Sequence, residues 1–140
     1  MSKIIVSLFL FLQILYANDC CEKQILESSS SSNLHILFET NSYNIDEDDF
    51  KKVYDYAEYL FQNCDLNIII EAHTDDIGTT SDNLYLSFKR ANSIREYLIK
   101  LGILKERIKI IGYGETKPKL ANDNDKNRQI NRRAKAKISN

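Results

Sequence analysis

The sequence predicts an α/β fold, more narrowly an α+β domain: a mixed sheet with helices on one face, in the order β-α-β-α-β-β. Three observations carry this reading. Leu34, Ile36 and Phe38 alternate with His35, Leu37 and Glu39, the period of a strand. Ile68-Ile69-Ile70 and Ile108-Lys109-Ile110-Ile111 are short runs with the β-branching of buried strands. Between them lie two longer stretches whose apolar residues recur at three and four, as on a helix with one buried face.

Taken in order, the first strand starts at Leu34, directly after a serine-rich run with the composition of a flexible linker. Turn formers at 40–44 end it. A helix is predicted over 46–61: Phe50, Val53, Tyr54, Ala57, Leu60 and Phe61 make its stripe, and acids crowd its start, where the helix dipole favours them. The second strand covers 66–72, and a loop runs over 74–82. A second helix covers 83–101 and stops at Gly102, in the C-cap position. Its core stripe is Leu84, Ser87, Ala91, Ile94, Leu98 and Leu101. The third strand covers 108–111. Gly112-Tyr113-Gly114 then bends the chain, and Pro118 sits in a loop. Ala134, Ala136 and Ile138 alternate with Arg133, Lys135 and Lys137, which predicts a short last strand at a sheet edge, blunted by charge. There is no internal repeat.

The chain has 140 residues, enough for one ordinary domain, and 43% are hydrophobic, enough for a core. A formal charge of -1 gives no global pull toward nucleic acid, so function must reside in a local site. Residues 1–17 read as a signal peptide: a basic start, an apolar run over 4–15 too short to span a bilayer comfortably, and small Ala17 at the cleavage point. Residues 18–33 read as a Cys/Ser-rich linker and 34–140 as the domain. Cys20, Cys21 and Cys64 are an odd number for an exported protein, which leaves their pairing open. Cys20 also raises the reading of a lipoprotein, against which stands Asp19 immediately before it.

The polar residues of Ile68 to Gly78, "IIIEAHTDDIG", lie where a buried strand ends. Ligands bind beyond the carboxyl ends of strands in open α/β sheets, so Asp75 is at the expected place for a site. On the second helix Asn83, Leu86 and Arg90 form a second stripe, rotated by about 100° from the core stripe. An arginine suits a carboxylate through two parallel hydrogen bonds, and Asp75 suits an ammonium. Together they would hold a small zwitterion. On this reading both charged groups sit at a pocket and not in the core, so alanine variants should remain folded.

The blocks "ILFETNSYNI", "IIIEAHTDDIG", "NLYLSFKRANSIREYLIKLGI", "RIKIIGYGETKP" and "NRQINRRAKAKI" resemble the successive blocks of the OmpA-like C-terminal domain, the family that includes the peptidoglycan-associated lipoprotein. The resemblance spans about 34–138. It implies a non-enzymatic domain in the periplasm or on the periplasmic face of the outer membrane. That domain would bind peptidoglycan non-covalently through the diaminopimelate of the stem peptide and anchor the outer envelope to the wall. It further implies that Asp75 and Arg90 hold the diaminopimelate head group, that Asn83 and Leu86 line the pocket, that Thr40 and Asn41 approach the ligand, and that Arg132 closes one side. Other envelope proteins are implied as further partners. The alternative is a periplasmic interaction module or an accessory subunit of an envelope complex, such as a motor or secretion assembly. Three positions depart from the family pattern: Ala72 stands where a glycine is usual, Asn127 before Arg128 likewise, and Ala134 replaces a larger aliphatic residue.

Rival readings are weaker. Ser87 and His73 as nucleophile and base fail because Ser87 lies on the core stripe. His35, His73, Cys64, Cys20 and Cys21 lack the short spacing of a metal set, so no metal or cofactor is expected, and His73 reads as a hydrogen-bonded loop histidine. The basic "NRRAKAK" is explained by edge protection, which leaves no nucleic-acid partner. A flagellar stator would need an acid in a membrane helix, and an outer-membrane porin would need a barrel before the domain.

Overall fold

The computed structural model describes residues 32–139. The proposed leader, Cys20, Cys21 and nearly all of the proposed linker lie outside the described residues. The elements are β1 (His35–Leu37), α1 (Glu47–Gln62), β2 (Asn67–Ala72), α2 (Thr80–Lys100), β3 (Ile108–Gly112), α3 (Asp125–Asn131) and β4 (Arg133–Ser139), with a 3-10 turn over Lys105–Arg107 before β3. The four strands form one mixed sheet in the order β1-β4-β2-β3. β4 runs antiparallel to both neighbours, and β2 and β3 are parallel.

The core forms where one face of the sheet meets α1 and α2. Ile36, Ile68, Ile70, Ala72, Ile108 and Ala134 pack with Val53, Tyr56, Ala57 and Leu60 of α1 and with Ala91, Ile94 and Leu98 of α2. Phe50 and Tyr97, with ring centroids 4.9 Å apart, join the two helices. The stripe of α1 differs from expectation at one position. Tyr54 is 51% exposed, whereas Tyr56 is fully buried and its burial raises the phenol pKa to about 12. Tyr56 stands three residues from Val53 and four from Leu60, so it shares their face.

α2 starts three residues before the predicted position. Thr79 caps it: its hydroxyl oxygen accepts from the Asp82 amide (3.1 Å) and its O–H donates to the Asp82 carboxylate (2.7 Å). Thr-x-x-Asp is a local capping signature, stronger here than the apolar periodicity. Leu84, expected in the core, is on an exposed flank at 53%. The helix ends as expected, at Gly102 with φ +105.

Two expectations about the C-terminal part are overturned. α3 was not foreseen. Its residues are almost all polar, so no apolar period marks it, and Asn124 caps it by accepting from the Asn127 amide (2.9 Å). Asn127 is thus helical rather than part of a left-handed loop. β4 is no edge strand, because it pairs on both sides, and β1 and β3 are the edges. Its cations are not an edge guard: on the sheet face away from the helices, Lys135 (3.5 Å) and Lys137 (2.5 Å) bracket the buried Glu71 carboxylate. Burial opposes ionisation of Glu71, but the two ammonium groups outweigh it and lower its pKa.

β3 meets α2 closely at Gly112. A Cβ there would lie 2.6 Å from Ser87 Oγ and 2.7 Å from the Phe88 backbone nitrogen. Gly112→Ala is expected to destabilise the domain by about 1–3 kcal/mol through overpacking. Thermal denaturation checks this, and an unchanged melting temperature would show that α2 can draw back at no cost.

Candidate ligand-binding site

The carboxyl end of β2 is held on both sides after the strand ends. The His73 amide donates to the Arg133 carbonyl (2.8 Å) and the Thr74 amide to the Gly114 carbonyl (2.9 Å). This delivers Asp75 to the amino end of α2. Asp75 is 4% exposed. Its Oδ1 accepts from the Ile77 amide (3.1 Å), and its Oδ2 from Arg132 Nη1 (2.9 Å). Arg132 in turn donates through Nε to the Phe38 carbonyl (3.0 Å) and through Nη2 to the Gln129 side chain.

Arg90 is fully buried. Its Nε donates to the Ser42 carbonyl (2.7 Å), Nη1 to the His73 carbonyl (2.8 Å) and Nη2 to the Glu39 carbonyl (3.0 Å). Its guanidinium carbon lies 5.1 Å from the Phe38 ring centroid. The group ties the exit of β1 to the end of β2. Burial lowers its pKa to about 10, opposed by the nearby Asp75 carboxylate, so it stays charged at neutral pH.

Between these elements opens a pocket of about 590 Å³. Six of the seven residues expected at the site line it: Thr40, Asn41, Asp75, Asn83, Leu86 and Arg90. Asn41 sits at φ 52, a left-handed conformation that asparagine tolerates. Arg132 is not among the lining residues and instead holds Asp75 in place. The sequence reading missed Tyr43, Ile77, Gly78, Asp82, Tyr85 and Lys89, which also line the pocket. Tyr85 and Lys89 stand four apart on α2, so a signal was present in helical spacing. The Lys89 ammonium lies 4.6 Å from the Tyr43 ring centroid and 4.9 Å from that of Tyr85. The lining thus includes a guanidinium, an ammonium, two carboxylates and two side-chain amides.

Ser87 Oγ donates to the Leu84 carbonyl (2.8 Å) and accepts from the Gly114 amide (2.8 Å), so it is committed to structure. Among the described residues no cluster of three His, Cys, Asp or Glu side chains is suited to a metal ion. The thiol of Cys64 donates to the Phe61 carbonyl (3.2 Å).

His73 departs from its expected role. It is 3% exposed, stacks on Tyr113 with centroids 5.2 Å apart, and neither ring nitrogen has a hydrogen-bonding partner among the described residues. Burial, reinforced by Arg133, lowers its pKa from 6.5 to about 4. The unfolded chain therefore takes up this proton first. The stabilisation is complete above pH 6.5 and is lost as pH falls toward 4, about 3 kcal/mol for one such group at 1.36 kcal/mol per unit. His73→Phe should flatten the dependence of melting temperature on pH between 7 and 4. An unchanged profile would place the acid sensitivity elsewhere.

A family profile described as the OmpA family matches residues 37–132. The peptidoglycan-associated lipoprotein of Buchnera aphidicola is 33% identical over 99 residues, 71% of this chain and 57% of that protein. Outer membrane porin F of Pseudomonas aeruginosa is 31% identical over 106 residues, 75% of this chain and 30% of the porin. The chain thus spans between about a third and somewhat over half of these relatives' lengths. Among solved structures, the peptidoglycan-associated lipoprotein of Burkholderia pseudomallei superposes with a TM-score of 0.73 at 28% identity, covering 75% of this chain and 89% of that one. The C-terminal domain of Helicobacter pylori MotB gives 0.70 at 26% identity, covering 76% and 84%. The relatives belong to the cell envelope, and localisation to the periplasm or the periplasmic face of the outer membrane follows. With its profile match running from the end of β1 to the residue before β4 and its fold shared with these structures, the chain belongs to the OmpA family.

Proposed function

We propose that the domain binds peptidoglycan non-covalently, through the diaminopimelate of its stem peptides, and thereby anchors the outer envelope to the cell wall. One observation carries this reading: a buried carboxylate, Asp75, and a fully buried guanidinium, Arg90, line the same open pocket. Arg90 spends three of its five N–H groups on backbone carbonyls, which leaves two for a ligand carboxylate. The likeness to proteins named for peptidoglycan supports the choice of ligand. The organisation that goes with it is a leader at 1–17, a linker at 18–33 and the wall-binding domain at 34–140.

Co-sedimentation with purified sacculi tests the reading. The wild type should pellet. Asp75→Asn, which keeps the side-chain shape and the Ile77 contact but loses the charge, should remain largely in the supernatant while still showing a cooperative melt. Equal pelleting of the two proteins would remove Asp75 from the binding site.

A second reading, an accessory subunit of an envelope complex such as a motor, is supported by the likeness to MotB. It expects the protein to cofractionate with a motor or secretion assembly in addition to binding sacculi. The first reading expects it to follow the wall alone.

A further inference from the structure

We propose that Glu115 is a positioning residue that sets the polarity of the pocket. It holds the Asn83 amide so that the nitrogen faces Glu115 and the oxygen remains available to a ligand, which makes the site select a ligand ammonium. This rests on the diaminopimelate reading and adds a specificity determinant to it.

Glu115 follows the Gly112–Gly114 bend and lies 32 residues from Asn83. It does not line the pocket. Its Oε1 accepts from the Thr80 hydroxyl (2.9 Å), and its Oε2 from Asn83 Nδ2. The same Asn83 nitrogen lies 3.4 Å from the Asp75 carbonyl. A carboxylate has no proton to give, so it determines which end of an amide can face it. Turning the Asn83 amide over would set Oδ1 against Glu115, two acceptors with nothing between them. Oδ1 is therefore the end turned from Glu115; a Cβ on Gly78 would lie 3.6 Å from Oδ1 and 4.0 Å from Nδ2. Gly78 and Asn83 both line the pocket, and Asn83 is 3% exposed.

The pocket gains from this acceptor. Each Asp75 oxygen already accepts one hydrogen bond, one from Arg132 and one from the Ile77 amide, so a ligand ammonium finds only their remaining lone pairs. Asp75, Arg90 and Arg132 together carry one net positive charge. That balance draws a carboxylate but does not by itself select an ammonium. A fixed Asn83 oxygen beside Asp75 supplies a further acceptor.

The test titrates two synthetic stem peptides calorimetrically. One contains diaminopimelate. The other contains 2-aminopimelate, which keeps the distal carboxylate and lacks the distal amino group. The wild type should bind the diaminopimelate peptide at least about tenfold more tightly, tenfold being about 1.4 kcal/mol. Glu115→Met removes the acceptor that holds the amide. It should erase this preference by weakening only the diaminopimelate peptide. Glu115→Gln should restore the preference, because its carbonyl can accept from Asn83 while its amide nitrogen turns to the Thr80 hydroxyl. Equal weakening of both peptides by Glu115→Met, or no weakening of either, would overturn the proposal.

The side-chain amide resonances of Asn83 in ligand-free protein give a second readout. They should shift and lose exchange protection in Glu115→Met and keep both in Glu115→Gln. Unchanged resonances in the Met variant would show that Glu115 does not hold the amide. Failure of the wild type to bind either peptide overturns the diaminopimelate reading and the specificity role with it, whereas the resonances judge the Glu115 contact independently.

Discussion

Arg90→Ala is expected to destabilise the domain by about 3–5 kcal/mol, not merely to empty the pocket. The guanidinium is completely buried and donates to carbonyls of Glu39, Ser42 and His73, which belong to the exit of β1 and the end of β2. Removing it strands those carbonyls, leaves a cavity beside Phe38, and deprives the neighbouring Asp75–Arg132 pair of a balancing charge. Breaking a buried charged network of this kind costs about 3–5 kcal/mol. Domains of this size have about 5–15 kcal/mol in total. Arg90→Lys should fail similarly, because one ammonium cannot reach three carbonyls in the geometry a planar fork allows. Urea denaturation of the two variants checks this. A midpoint for Arg90→Ala near the wild-type value would mean that water satisfies the carbonyls and that Arg90 serves the ligand alone. The helical stripe had suggested that alanine at this position would leave the fold intact, and burial reverses that expectation.

The ligand itself can be varied without that complication. Replacing diaminopimelate by lysine in a stem peptide removes the distal carboxylate, and amidating that carboxylate removes its charge. On the proposed reading, the two remaining N–H groups of Arg90 then lose their charged acceptor inside a desolvated pocket. Loss of one partner of such a pair costs about 2–5 kcal/mol. Affinity for the lysine and amidated forms is therefore expected to fall by at least about tenfold, since 1.4 kcal/mol is a factor of ten. Calorimetric titration of the matched peptides with wild-type protein measures this directly. Equal affinity for the diaminopimelate and lysine forms would mean that Arg90 is structural only and that the pocket reads another feature.

Much of this was legible in the sequence because it is periodic or local. Alternation located β1, the isoleucine runs located β2 and β3, and spacing at three and four located α1 and α2. That Asp75, Asn83, Leu86 and Arg90 line one pocket was legible because a strand end and the start of the next helix are close in the chain, and that closeness survives folding. Thr79 and Asp82, which cap α2, were equally readable but were outweighed by the apolar period. The short α3 had no apolar period to reveal it.

Only the tertiary structure decided the rest. Alternation assigns the two faces of β4 but is silent on its neighbours, so the insertion of β4 between β1 and β2 could not be read from Ala134, Ala136 and Ile138. The same insertion turned Lys135 and Lys137 from edge guards into partners of Glu71. Asp75 finds Arg132 across 57 residues, Arg90 finds Glu39 across 51, and Asn83 finds Glu115 across 32. Whether a charge is a ligand group, a structural tie or both depends on the donors and acceptors that surround it once water is gone. Those arrive from segments whose approach is determined by strand order and core packing, to which no local pattern of residues corresponds.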